Sequence, residues 1–301
     1  MTASIIVPTL NAAPDWPRFA PALLACARPQ DVLVIDSSST DGTADLARAA
    51  GFRVHTIARE DFSHGRTRQL AAELLPEAEI LVYLTQDAIL TSPDAIHKLI
   101  ASFDDPSVAA AYGRQLPRPG AGPIEAHARL FNYPAHSQVR TLASRSELGF
   151  KAIFISNSFA AYRRSALMTT GGFPVDTIFG EDTVTAARML LTGWKIAYVS
   201  DAAVYHSHSY TAAQDFRRYF DIGVLHAREP WLLKEFGTTG GEGKRFVFSE
   251  IASLWPAHFW LIPSALLRTV AKLAGYQIGR REARLPLGAK RRLSMHRGFW
   301  K

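Results

Sequence analysis

The chain has 301 residues, 48% of them hydrophobic, which is enough to bury a full core as one large domain or as one domain with an extension. Its single cysteine, Cys26, excludes an intramolecular disulfide and is typical of a reducing compartment. The net charge of +7 is uneven: residues 268–301 hold ten Lys or Arg and one Glu, a charge of +9, which leaves −2 for residues 1–267. Positive charge confined to one end argues against a general nucleic-acid binder, which more often spreads it over the folded face.

Short apolar runs alternate with segments of helical character at residues 5–7, 32–35, 80–84 and 108–112. This alternation predicts an α/β fold with a mostly parallel sheet that is covered by helices on both faces. The first run follows the initiating Met1 without a basic region, a long apolar stretch or a cleavage site. We therefore expect no signal peptide and a cytoplasmic location.

Three segments that contain carboxylates follow or close apolar runs, in an order that suits sugar transfer. They are residues 34–43, 85–88 and 180–183. In open α/β sheets the carboxyl ends of the strands form the ligand-binding edge. The first segment is a candidate for holding a nucleoside, the second for a metal on a diphosphate, and the third for a base.

Polar residues at the ends of the first two strands are candidates for a nucleotide pocket. The first strand ends in Pro8, Thr9 and Asn11, and the second ends in Asp36 with Ser38 two residues later. A carboxylate at Asp36 can accept a hydrogen bond from the ring N–H of a pyrimidine base. The alternatives are an ordinary strand-to-loop transition for the first segment and helix capping for the second.

Arg66 and Arg68 lie two residues apart, beside a glycine, at the predicted start of a helix. Guanidinium groups and helix N-terminal N–H groups both suit phosphate, so this turn is a candidate for contact with a diphosphate. The alternative is a solvated basic turn.

Asp87 emerges from the buried run 80–84 beside Gln86, which is a candidate for contact with the sugar nucleotide. One carboxylate at a strand end can hold Mg²⁺ or Mn²⁺ when substrate phosphates supply further oxygens. His206 or His208, after a later strand-like run, offers a nitrogen ligand, although a lone histidine is usually structural.

Asp182 stands at the predicted start of a helix, where it is either an N-terminal cap or a general base aimed into the cleft. Residues 118–149 break the strand and helix rhythm with Pro, Gly, His and aromatic residues, which predicts a long excursion over the site. No Gly-x-Gly-x-x-Gly follows the first strand, which argues against a nicotinamide dehydrogenase.

Residues 251–273 are apolar and aromatic, but Pro256, Pro263 and Arg268 interrupt them, so we predict no transmembrane span. Trp255, Trp260 and the basic residues that follow suit an anionic membrane surface. The alternative is a core-packing helix with a solvated basic tail. We expect one domain over residues 1–240 and a helical, basic extension over residues 241–301.

Taken in order, these segments resemble the family 2 glycosyltransferases, which have the Rossmann-like GT-A fold, and within them the bacterial rhamnosyltransferases of surface polysaccharide synthesis. The motifs that carry the resemblance are Phe62-Ser-His-Gly-Arg-Thr-Arg68, Leu84-Thr-Gln-Asp-Ala88, Phe131-Asn-Tyr-Pro134, Ser156-Asn-Ser-Phe-Ala-Ala-Tyr162, Gly171-Gly-Phe-Pro174, Gly180-Glu-Asp182, His206-Ser-His-Ser-Tyr210 and Leu293-Ser-Met-His-Arg-Gly-Phe-Trp300.

The resemblance implies inverting transfer from a nucleotide sugar, with dTDP-rhamnose as donor and a saccharide or a lipid-linked saccharide as acceptor. It implies the following roles: pyrimidine contact for Asp36, nucleotide contact for Arg66 and Arg68, metal binding for Asp87 with help from His206, the base for Asp182, and the acceptor side for Asn157 and Glu181. Two positions depart from the family: Gln69 replaces a frequent asparagine, and Thr85-Gln86 replaces two frequent aspartates.

Other functions stay open at this point. The same fold can use a UDP-hexose or a furanose donor. A non-catalytic, membrane-associated assembly protein is the alternative from another class, but the intact Asp87 and Asp182 argue against it.

Overall fold

The computed structural model describes residues 1–238 and 240–301. The strands are β1 (Ala3–Thr9), β2 (Val32–Asp36), β3 (Arg53–Thr56), β4 (Ile80–Leu84), β5 (Ile89–Leu90), β6 (Val108–Leu116), β7 (Gln138–Arg140), β8 (Phe159–Arg163) and β9 (Lys195–Tyr205). The helices are α1 (Trp16–Leu24), α2 (Thr43–Ala49), α3 (His64–Glu73), α4 (Ala95–Ile100), α5 (Pro123–Asn132), α6 (Arg145–Leu148), α7 (Arg164–Thr169), α8 (Glu181–Leu191), α9 (Ala212–Arg228), α10 (Pro230–Phe236), α11 (Gly240–His258), α12 (Ile262–Gly279) and α13 (Leu287–Leu293).

The strands form one sheet in the order β3-β2-β1-β4-β8-β6-β9-β5, and β7 pairs with β9. The first four strands are parallel, as predicted, and so are β6 and β9. The sheet as a whole is mixed, because β8 runs antiparallel to both of its neighbours, β4 and β6, and β5 and β7 run antiparallel to β9. The expectation of a mostly parallel sheet therefore describes its first half.

The reversal at β8 has a topological cause. Residues 117–158 leave β6 at the edge where β4 ends and return to that edge, where Phe159 at the start of β8 lies opposite Leu84. Antiparallel neighbours need no crossover to the far edge, unlike parallel ones. The excursion predicted over residues 118–149 carries α5, β7 and α6, and β7 pairs with the first part of β9.

Helices cover the sheet on both faces, and every residue of β2 and β4 is buried. On one face Tyr83, Tyr162 and Phe173 form an edge-to-face triad with ring centroids 5.1–5.7 Å apart. The Tyr83 hydroxyl also donates a hydrogen bond to the carbonyl of Arg68 at 2.8 Å. The core therefore fixes α3 against β4, next to the edge where the polar loops gather.

The C-terminal helices pack on the rest of the fold through glycines. A Cβ added at Gly275 would lie 2.2 Å from the Phe216 carbonyl oxygen, and one at Gly279 would lie 2.0 Å from that of Phe220, so α12 and α9 meet backbone to backbone. Trp300 then returns to join Ile178 in a small apolar cluster with α9. Among the described residues, no helix is long and apolar enough to cross a membrane.

Candidate functional site

The loops after β1 and β2 are cross-linked at the carboxyl edge of the sheet. The Thr9 hydroxyl donates to Asp36 Oδ1 at 3.2 Å, and the Asn11 amide oxygen accepts from the Thr40 N–H at 2.9 Å. Asn11 and Ser38 both have left-handed backbone, with φ of +50° and +56°. Non-glycine residues held in that region cost about 1–3 kcal/mol each, and they cluster where ligands bind.

Gln86 and Pro8, the other two residues predicted for this pocket, belong to the structure that supports its loops. Gln86 accepts from the Leu10 N–H at 2.7 Å and donates to the Leu10 carbonyl at 3.1 Å, so its amide braces the loop after β1. Pro8 lies inside β1, opposite Ile35 in the register with β2. Both residues therefore lie behind the loops of the candidate pocket, and the side-chain amide of Gln86 is already hydrogen-bonded to the backbone of Leu10.

Asp87, His206 and His208 come together where the chain leaves β4 and β9. Asp87 Oδ2 lies 3.4 Å from His206 Nε2 and 3.7 Å from His208 Nε2, and one ligand atom from each residue lies within 4.8 Å of the others. His206 Nδ1 is 2.9 Å from Gln115 Oε1, and this contact orients the ring so that Nε2 faces Asp87. One carboxylate and two imidazoles fit a divalent ion that retains positions for phosphate oxygens.

The charge states in this cluster suit metal binding. Burial would raise the pKa of Asp87, but the hydrogen bond with His206 holds that pKa well below its usual range. Burial and then the charge of His206 lower the pKa of His208 to about 4. An ionised carboxylate and a neutral imidazole are the forms that ligate metals. Arg118 also approaches, with Nη2 3.5 Å from Asp87 Oδ2.

The segment that opens α8 contains two adjacent carboxylates in different environments. Glu181 is buried and pairs with Arg68 Nη1 at 3.1 Å, while the Asn157 side-chain amide donates to Glu181 Oε1 at 2.9 Å. Burial would raise the pKa of Glu181, but Arg68, His64 and this hydrogen bond lower it, so Glu181 is ionised. Gly180, with φ of +75°, is the N-cap residue of α8, so Asp182 is not the cap.

Asp182 accepts hydrogen bonds from the Asn157 N–H at 3.2 Å and from the Thr183 N–H at 2.7 Å. Burial and the neighbouring charge of Glu181 raise the pKa of Asp182 to about 7. A carboxylate with that pKa is poised for general-base chemistry near neutrality. Of the two alternatives that the sequence left open, the geometry favours the base.

Three side chains predicted to contact ligands already have partners within the protein. The guanidinium of Arg68 is committed to Glu181, and the side chains of Asn157 and Glu181 are directed into the same buried network instead of towards an acceptor. The physical reason is that two adjacent carboxylates in a buried segment require a counter-ion, and Arg68 supplies it. Arg66, one turn inside α3, is exposed and keeps a free approach to solvent.

The C-terminal tail also reaches this network, which sequence reasoning missed. His296 stacks on Phe179 at 5.6 Å between ring centroids, and its Nδ1 lies 3.4 Å from His64 Nε2. Asp221 holds the tail by accepting from the Met295 and His296 N–H groups at 2.9 and 3.2 Å. The signal was the Ser-Met-His segment at 294–296, which the resemblance marked without a role. Gln115 and Arg118, at the end of β6, were missed too.

Comparison with known proteins places these features in a family context. Residues 4–171 match the family described as Glycosyl transferase family 2. The chain is 46% identical, over 100% of its length and 96% of the relative's, to the O-antigen chain rhamnosyltransferase RfbN of Salmonella typhimurium. It is 45% identical to the O-antigen chain rhamnosyltransferase WbaN of Salmonella anatum, covering 99% of this chain and 95% of the relative.

Solved structures share the fold at lower sequence identity. The mannosyltransferase PcManGT from Pyrobaculum calidifontis, in complex with GDP-Man and Mn²⁺, aligns with a TM-score of 0.57 and 21% identity over 99% of this chain and 84% of its own. S. aureus TarS 1-349 aligns with a TM-score of 0.56 and 17% identity over 94% of this chain and 91% of its own. At these identities the likeness shows the GT-A fold alone.

Removal of a ligand side chain from the cluster should weaken the binding of Mn²⁺, as measured by the paramagnetic resonance signal of free ion. Asp87→Ala should cause the largest loss, because it removes the only carboxylate among the three clustered ligands. His206→Ala should cost more than His208→Ala, because the His206 side chain is 8% exposed and oriented by Gln115, whereas that of His208 is 35% exposed.

Gln115→Ala tests the orientation of His206 and should weaken binding about 10- to 100-fold, as other partners of metal-bound histidines do. His55→Ala is the control, since that histidine lies in β3 outside the cluster. Equal Mn²⁺ binding by Asp87→Ala and the unaltered protein would contradict the assignment of the metal to this site.

Proposed function

Because the chain belongs to glycosyltransferase family 2, we propose that it transfers L-rhamnose from dTDP-rhamnose, with inversion, to a saccharide or lipid-linked saccharide during cell-surface O-antigen synthesis. The observation that carries the chemistry is Asp182, a carboxylate with a pKa of about 7 beside an ionised partner. Whole-length identity of 46% and 45% to rhamnosyltransferases supports the choice of sugar.

Inversion requires one direct displacement at the anomeric carbon. Asp182 would take the proton of the acceptor hydroxyl while the acceptor oxygen forms its bond to that carbon and the bond to the diphosphate breaks. No enzyme nucleophile is needed, and a positioned base typically contributes about 10²–10⁴ in rate. Glu181 supports this role, because its fixed negative charge raises the pKa of Asp182.

We propose that Asp87, His206 and His208 hold Mg²⁺ or Mn²⁺, with Mn²⁺ the better fit because imidazole nitrogen suits it more than Mg²⁺. A bound ion would supply positive charge to the departing diphosphate. Asp36, fixed by Thr9 at the end of β2, would face the pyrimidine. A UDP-hexose donor is the second candidate, since the same carboxylate fits uracil and thymine alike.

A thermal-shift panel tests the donor. With Mn²⁺ present, dTDP-rhamnose should stabilise the protein more than UDP-glucose, UDP-galactose or GDP-mannose do. At 100 times its dissociation constant, a ligand that binds only the folded state adds about 2.7 kcal/mol to the free energy of unfolding. A larger shift with UDP-glucose or UDP-galactose would replace dTDP-rhamnose with the second candidate.

Asp182→Asn should lower the transfer rate by about 10²–10⁴, because an amide does not accept the acceptor proton. The free energy of unfolding should change little: one hydrogen bond to a backbone N–H is lost, but the repulsion with Glu181 is relieved. Donor binding should persist. Near-normal transfer by this variant would remove Asp182 from the mechanism.

The pH profile supplies the control for that experiment. In the unaltered enzyme kcat/KM should rise as the pH passes through about 7, because the base acts in its deprotonated form. Glu181→Gln removes the charge that raises the pKa of Asp182, so the rise should move to lower pH. This variant should also be less stable, because Arg68 loses its buried counter-ion.

We also propose that residues 241–301 form an extension that binds the anionic cytoplasmic face of the inner membrane. The α11–α12 hairpin supports this, because its polarity is inverted. Arg268 points inward and pairs with Asp215 at 2.6 Å, and Lys272 lies over the Phe246 ring, whereas the apolar side chains point outward. The most exposed of these are Phe248, Trp255, Phe259, Trp260, Leu267, Val270 and Leu273, each at least 60% exposed.

Charge complementarity selects the partner for this surface. In the described segment 246–279 no Asp, Glu, Lys or Arg is exposed, whereas Lys244 and Arg245 before it and Arg280, Arg281 and Arg284 after it are exposed. The hairpin has an apolar face, Trp residues at the turn between its helices, and basic residues at the two ends opposite the turn. This arrangement fits an anionic bilayer interface. Each basic residue near such a surface contributes about 1 kcal/mol.

Replacing Trp255, Trp260 and Leu267 with Ser should abolish flotation with vesicles that contain phosphatidylglycerol. These side chains are exposed, so the fold should be kept. Val139→Ser, at a position 55% exposed outside the hairpin, is the matched control and should float normally. High salt should release part of the bound protein. Absence of flotation by the unaltered protein would contradict the membrane proposal.

A further inference from the structure

Arg218 lies on α9 between the two halves of the candidate site. Its guanidinium carbon is 6.0 Å from the centroid of the Phe179 ring and 5.9 Å from that of Tyr210. Phe179 directly precedes the Gly180–Asp182 segment, and Tyr210 stacks on His208 with the centroids 5.3 Å apart. The cation is therefore placed between the segment that bears Asp182 and the Asp87–His206–His208 cluster.

Arg218 is half-buried, yet within residues 1–238 and 240–301 no carboxylate lies within ion-pair distance of it and no side-chain or backbone acceptor takes a hydrogen bond from it. Buried Arg68 pairs with Glu181 and half-buried Arg268 pairs with Asp215, whereas half-buried Arg188 and Arg217 have no ion pair in the described part of the chain. Arg218 differs from these last two in its position over the rings of Phe179 and Tyr210. A partly desolvated guanidinium that contacts only aromatic faces keeps its N–H donors available for a bound anion.

The charge of Arg218 also acts on two histidines near the segment that bears Asp182. Burial is the main cause that lowers the pKa of His64 to about 4 and that of His296 to about 3, and Arg218 contributes to both shifts.

We propose that Arg218 binds the diphosphate of the nucleotide-sugar donor. When the anomeric C–O bond breaks, its electron pair stays on the phosphate oxygen, and the acceptor proton moves to Asp182, so negative charge grows on the diphosphate. A planar guanidinium donates two parallel hydrogen bonds to phosphate oxygens, which strengthen as that charge grows. The role rests on transfer from a nucleotide sugar and is independent of which sugar or base the donor carries.

A lipid-linked acceptor carries the same chemistry, so the assignment to the donor has to be tested against it. The position beside Tyr210 and His208 favours the donor, whose diphosphate must meet the metal cluster. Titration calorimetry with Mn²⁺ should compare dTDP, UDP and GDP with dTMP, and with geranyl diphosphate as the lipid diphosphate. Using three bases makes the outcome independent of the preference for dTDP-rhamnose.

Arg218→Ala should weaken binding of the nucleoside diphosphate that the unaltered protein prefers by about 10- to 100-fold, the equivalent of one charge-assisted hydrogen bond. Binding of dTMP should change much less. Arg218→Lys should recover part of the loss, since lysine keeps the charge but not the planar fork. Turnover at saturating donor should fall in both variants, because the contact strengthens as the bond breaks.

Arg217→Ala is the matched control: it removes the neighbouring, half-buried arginine of the same helix and should leave nucleotide affinity unchanged. A general loss of structure would weaken dTMP and the diphosphates alike, and in that case Arg218→Lys alone decides. The proposal is overturned if Arg218→Ala binds nucleoside diphosphates normally, if Arg217→Ala loses as much, or if only geranyl diphosphate binding falls.

Discussion

The ion pair between Arg68 and Glu181 is the interaction on which the rest of the site depends. It keeps Glu181 ionised, and burial together with the charge of Glu181 then raises the pKa of Asp182 to about 7. A close approach of α3 makes the contact possible, since a Cβ at Gly65 would lie 1.8 Å from the Pro174 carbonyl oxygen. Breaking a buried pair of this kind typically costs about 3–5 kcal/mol, so the pair contributes to the stability of the fold as well as to the pKa of Asp182.

The mixed sheet brings the Asp87–His206–His208 cluster to the same edge as this pair. Because β8 starts where β4 ends, the Thr85 N–H donates to the Ser158 carbonyl at 3.2 Å, and the segment with Asn157 lies beside the one with Asp87. Asn157 then joins Glu181 through its side chain and Asp182 through its backbone N–H. The reversed strand β8 thus couples the two halves of the site.

The sequence predicts strands and loop positions well, because apolar runs and strand ends are local patterns. The runs at 5–7, 32–35, 80–84 and 108–112 all lie within strands, and the cluster at Asp87 forms between two strand ends. It predicts the partners of polar side chains poorly. Whether Arg68 meets a phosphate or Glu181 depends on how α3 approaches α8, and the contact of His296 with His64 joins residues 232 positions apart. Neither contact leaves a periodicity or a spacing to read.

Net charge misleads for a similar reason, and the tail illustrates it. The +9 of residues 268–301 reads as a uniform basic extension, yet Lys290 and Arg228 both pair with Glu282, and Arg268 pairs with Asp215. These inward charges fasten α12 and the tail to α9, so that Trp300 and His296 can reach the segment before Asp182. The outward face of α12 is left apolar. Several of the basic residues that suggest a detachable extension therefore join α12 and the tail to the segment before Asp182.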